Sequence, residues 1–107
     1  YIGFDSNNGR GLQIGSGNNP TKSFSLSTSG ISGNIKSIKI NSSMASGGSA
    51  KLSVSVGGTS VKSNQALTTS ATDYTISDIN KSGEIVISYT NTAKAFYIKS
   101  IVVEYEN

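Results

Sequence analysis

The sequence predicts an all-β chain: an antiparallel β-sandwich, or jelly roll, of about eight or nine short strands. Three observations carry this. Apolar and polar residues alternate over short stretches, most cleanly at residues 50–56 (AKLSVSV), which is the period of a strand with one buried face. Clusters of Gly, Asn and Ser punctuate the chain between those stretches, as turns do. No stretch sustains a helical period.

Residues 95–106 (AFYIKSIVVEYE) form the longest apolar, β-branched and aromatic run, and residues 34–41 (NIKSIKIN) repeat its Ile-Lys-Ser-Ile. Both copies break alternation alike. Ile35, Ile38 and Ile40, like Ile98, Ile101 and Val103, are spaced by three and then by two. Side chains change face at every strand residue, so a spacing of three turns the apolar set outward unless one residue is absorbed. A β-bulge at Lys36 and Ser37, and another at Lys99 and Ser100, keeps all six on the core face. The two stretches are read as similarly shaped strands and as neighbours.

In order, residues 1–4 are a first strand, and 5–9 (DSNNG) a turn in which Asn8-Gly9 tolerates positive φ. Residues 10–15 alternate, with Leu12 and Ile14 inward and Gln13 outward. Pro20, which lacks a donor, closes a loop at 16–20. Residues 21–28 place Phe24 and Leu26 inward, and 29–33 turn into the first bulged strand. Residues 41–49 read as a loop with Met44 its one bulky member. After the strand at 50–56, Gly57-Gly58 makes a two-residue hairpin pairing Val56 with Thr59 and Val54 with Val61. Residues 62–71 read as a polar loop anchored by Leu67. Tyr74 and Ile76 share a face of the next strand, Ile79 packs beneath the following turn, and Ile85, Ile87 and Tyr89 share a face of the strand at 84–90. Tyr1, Phe4, Tyr74, Tyr89 and Tyr105 are expected in the core or at its edge.

At 107 residues the chain is expected to be a single sandwich domain, 1–107, cut from a longer secreted protein, since it opens directly in a strand. No signal peptide leads it, and no apolar run reaches the ~20 residues that span a bilayer, so no membrane partner is expected. The net charge is +3, with nine Lys and Arg scattered singly. That is not the clustered footprint of a nucleic-acid binder.

Absences exclude much chemistry. There is no Cys, His or Trp. Thiolate and imidazole metal sites and Ser-His or Cys-His nucleophiles therefore cannot be built, and no cofactor is expected. The six acids lie at strand ends, in turns or on outer faces rather than inside apolar segments, so no raised-pKa general acid for glycoside hydrolysis is in view. The stretch from Asp5 to Arg10 fails the calcium-loop pattern, with Gly9 and Arg10 at its fifth and sixth places. A weaker site of Asp5, Asn7 and carbonyls stays open. No resident metal is expected.

The succession GRGLQIGSGNNP, SFSLST, ISGNIKSIKI, AKLSVSVGG, SGEIVISYTN and AFYIKSIVVEY resembles the galactose-binding-like jelly-roll modules of secreted bacterial proteins, especially the short Ser/Thr/Gly-rich ones. The likeness covers nearly the whole chain. It implies two antiparallel sheets and a non-catalytic carbohydrate-binding or attachment role beside other domains of a secreted or cell-surface protein. Many such modules stack a Trp on sugar rings, and this chain has none.

A sugar site needs a flat apolar face and convergent polar groups. Tyr97 is the candidate face, since Phe96 and Ile98 are the inward pair around it. Arg10, Gln13, Asn18 and Asn19 are the candidate polar groups. Lys36, Lys39 and Lys99 would lie together on the outer face if the bulged strands pair, guarding the sheet against aggregation. Two functions follow: a module binding a polysaccharide or glycan, or a structural spacer or protein-interaction domain of a surface protein with no small-molecule ligand.

Overall fold

A computed structural model of the chain describes residues 2–5 and 9–106, with side chains from residue 9 onward. The turn expected at 5–9, the side chains of Tyr1 and Phe4, and the cation site of Asp5 and Asn7 lie outside the described residues.

Nine strands are described: β1 Ile2–Asp5, β2 Gly11–Ile14, β3 Ser23–Thr28, β4 Asn34–Met44, β5 Lys51–Val56, β6 Thr59–Ala66, β7 Thr72–Ile76, β8 Ile85–Thr90 and β9 Phe96–Glu106. A five-stranded sheet in the order β1-β2-β9-β4-β7 faces a four-stranded sheet in the order β3-β8-β5-β6. Every pairing is antiparallel. This is the expected sandwich.

The two isoleucine-bearing strands are neighbours at the centre of the larger sheet, and both carry the expected bulges. The register runs Ile35↔Tyr105 and then Ser37↔Glu104, passing over Lys36. It runs Asn41↔Ser100 and then Ser42↔Ile98, passing over Lys99. Absorbing one residue in each strand leaves Ile35, Ile38, Ile40 and Ile98 buried. They pack with Leu52, Val54, Val56, Ile85, Ile87 and Tyr89 from the facing sheet. The Tyr89 ring stacks on Phe96 at 4.7 Å and 21°, and Phe24 meets Phe96 edge-on at 6.3 Å, both favourable aromatic geometries.

Several expectations need correcting. Ile101 and Tyr105 are 37% and 49% exposed. They share the inner face with Ile40 and Ile35, but β2 pairs with β9 only at Phe96–Ile98, so among the described residues no strand covers that flank of the sandwich. Residues 41–44 are strand rather than loop, because β9 supplies partners as far as Met44↔Phe96. Residues 62–66 are likewise strand, in β6. The Gly57-Gly58 hairpin pairs Val56 with Thr59, yet Val54 faces Lys62 rather than Val61 because the ladder is irregular there. Leu67 is buried. Ile79 is also buried, held by its N–H to the Lys36 carbonyl at 3.0 Å, between Asp78 and Asn80 in left-handed conformation.

Candidate functional site

Across the outer face of the five-stranded sheet, Gln13, Tyr97 and Ser43 form one cross-strand row on β2, β9 and β4. Alternation in β9 sends Phe96 into the core and Tyr97 to this outer face. The Tyr97 residue is nonetheless only 4% exposed, because the Arg10 guanidinium lies over its ring, 3.9 Å from the centroid. A cation this close to an aromatic face gains roughly 0.5–2 kcal/mol, more as the site dries. The flat group turned to solvent is therefore Arg10, which is half-buried, with Tyr97 as its bed rather than as an open platform.

The backbone explains how Arg10 gets there. Gly11 has φ +91°, and a Cβ on it would stand 2.5 Å from the Ile98 carbonyl oxygen and 2.6 Å from the Lys99 Cα. Only glycine lets β2 begin this close to the bulge of β9. That approach sets the preceding residue above Tyr97. Gln13 is half-buried and donates from Nε2 to the Gly15 carbonyl at 3.1 Å. The structure thus brings Arg10, Gln13 and Tyr97 together. Asn18 and Asn19 stand exposed beyond the opposite end of β2, in a turn closed by the Asn19 N–H on the Ser16 carbonyl at 3.3 Å.

Tyr97 is also fixed from inside. The buried Ser42 hydroxyl donates to the Tyr97 carbonyl. Its one proton is so used, and the Tyr89 hydroxyl 3.2 Å away donates to it in turn. Burial pushes the Tyr89 phenol up to about 12, against a lowering by the Ser42 hydrogen bond.

A second polar region occupies the far end of the same face. The bulge at Lys36 opens a cup of about 460 Å³ lined by Lys36, Ser37, Thr75, Asp78, Asn80 and Glu104, among others. Lys36 Nζ donates to Asn80 Oδ1 at 3.2 Å and lies 4.0 Å from a Glu106 carboxylate oxygen. Ser37 Oγ donates to Glu104 Oε1 at 3.4 Å. Sequence reasoning found the bulge but neither this cup nor Ser43, because both are assembled across strands distant in the chain. Of the three lysines, Lys36 is half-buried at this cup, while Lys39 and Lys99 are exposed.

Comparison with protein-family models and with curated proteins finds no match. Among solved structures the chain is similar to TmCBM61, determined in complex with β-1,4-galactotriose. The TM-score is 0.66 at 14% identity, over 98% of this chain and 81% of that one. At that identity what the two share is a fold, the antiparallel β-sandwich.

Proposed function

We propose that this chain is a non-catalytic carbohydrate-binding module that takes a neutral oligosaccharide at the Arg10–Tyr97 stack. The observation that carries this reading is the guanidinium held over a buried ring, 3.9 Å from its centroid. Its fold is one that a galactotriose-bound module also has. A guanidinium presents N–H donors in a rigid planar fork, which suits the adjacent hydroxyl oxygens of a pyranose. Holding it in place beforehand lowers the ordering cost of binding a flexible glycan. Gln13 adds an amide beside it. A non-catalytic role is supported by the exposure of Asp73, Asp78, Glu84, Glu104 and Glu106. None is desolvated as a general acid would be.

We place the module in a secreted or cell-surface bacterial protein, a reading supported by its Ser/Thr-rich composition. Isothermal titration against β-1,4-galactotriose and a panel of other neutral oligosaccharides tests the function. Saturable binding at micromolar to millimolar Kd, roughly −8 to −4 kcal/mol, is expected. A blank panel at millimolar ligand would favour the spacer reading instead.

A further inference from the structure

Among the described residues the exposed large apolar side chains are Ile101, Val102 and Tyr105, at 37%, 52% and 49%. All three lie on one half of β9. That half has β4 along one edge, whereas β2 stops pairing at Ile98. From Lys99 to Glu106 the other edge carries no strand partner among the described residues. Beside it runs an apolar groove of about 200 Å³ between the sheets, where Ile101 and Val103 face Leu26, Ile85 and Ile87. Soluble sheets normally blunt such an edge with charges, prolines or a covering loop. Here the middle of the edge reads Ile-Val-Val.

The charges on this edge sit only at its ends: Lys99 at the start, and Glu104 and Glu106 at the finish. That arrangement is complementary to itself in one orientation. An antiparallel copy sets Lys99 of each chain near the acidic end of the other. We infer that the free half of β9 pairs antiparallel with β9 of a second copy of this chain, joining the two larger sheets into one.

Directly opposed residues of an antiparallel pair point to the same face, so inner faces meet inner faces about a two-fold axis through the seam. With Val103 on that axis, Ile101 opposes Tyr105 of the second copy and Ser100 opposes its Glu106. Val102 then lies diagonal to its own counterpart. Such a contact is isologous and closes at two copies. Both Arg10–Tyr97 stacks emerge on the same outer face, so a dimer would present two of them to one polymeric ligand.

Sedimentation of the intact chain from micromolar to millimolar concentration should show a reversible monomer–dimer equilibrium. Val102→Lys and Ile101→Lys should leave it monomeric, with an unchanged circular dichroism spectrum. Lys99→Glu should raise the dimer dissociation constant about tenfold, and adding Glu106→Lys should restore it. Val103→Cys should give a disulfide-linked dimer under mild oxidation, in a chain with no other thiol. Arg10→Ala should leave dimerisation untouched whether or not it affects glycan binding. A wild-type chain that stays monomeric at millimolar concentration overturns the inference, as does a dimer indifferent to Lys99→Glu. Association that Val102→Lys or Ile101→Lys leaves intact overturns it too.

Discussion

Lys36 of β4 and Lys99 of β9 are each passed over by the register of the other's strand, and those two omissions keep four isoleucines in the core. The extra residue matters for its presence rather than its chemistry. Lys36→Ala and Lys99→Ala should therefore cost no more than about 0.5 kcal/mol each, as surface substitutions do. Deleting either lysine removes the bulge and turns part of the isoleucine set toward water, at roughly 2–5 kcal/mol per core side chain lost. Urea denaturation should show near-native midpoints for the alanine variants and loss of cooperative folding for the deletions.

Gly11 and Gly9 differ in an instructive way. Both have positive φ, but a Cβ on Gly9 meets nothing within 4 Å, whereas one on Gly11 strikes the Ile98 carbonyl at 2.5 Å. Gly9→Ala should cost about 1 kcal/mol from conformation alone. Gly11→Ala should cost more, because backbone must also move. By displacing Arg10 it should weaken glycan binding as well, separating the two variants in a titration and not only in a melt.

The hydrogen-bonded series from Tyr89 through Ser42 to the Tyr97 carbonyl makes an asymmetric prediction. Ser42→Ala strands the buried Tyr89 hydroxyl and frees a buried carbonyl, costing about 1–3 kcal/mol or more. Tyr89→Phe leaves Ser42 its acceptor and should cost nearer 0.5–1.5 kcal/mol. In the double variant the two costs should fall short of their sum. Equal and additive losses would mean that the series is not cooperative.

Alkaline stability follows from the same phenol. Folding raises the Tyr89 pKa from 10.0 to about 12, so above pH 10 the unfolded chain has released a proton that the native chain still holds. Stability then falls as pH rises from about 10 to about 12, by roughly 1.4 kcal/mol per pH unit, and levels beyond. Chemical denaturation at stepped pH should show that slope in the wild type and a shallower one in Tyr89→Phe.

Which parts of this were legible beforehand has a physical explanation. Bulges, core faces and the Gly57-Gly58 reversal are local, written in the spacing of Ile35, Ile38 and Ile40 or in a glycine pair. The openness of the flank at Ile101 and Tyr105 depends on where β2 stops, and no pattern within β9 records that. Arg10 over Tyr97 joins residues 87 positions apart in the chain. Sequence reasoning grouped the pair as candidates, but it cast the tyrosine as the exposed partner. Sheet order decides which face is covered, and residues 41–44 became strand because β9 was there to receive them.

The central claim is that a glycan is held on the outer sheet face by a guanidinium bedded on Tyr97. Its most direct test is a ¹H–¹⁵N NMR titration with β-1,4-galactotriose, following the Arg10 Nε–H, the Gln13 side-chain amide and the Tyr97 backbone amide. The account predicts saturable shifts concentrated on those three, and their loss in Arg10→Ala with the rest of the spectrum unchanged. Shifts confined to the cup at Lys36 would contradict it.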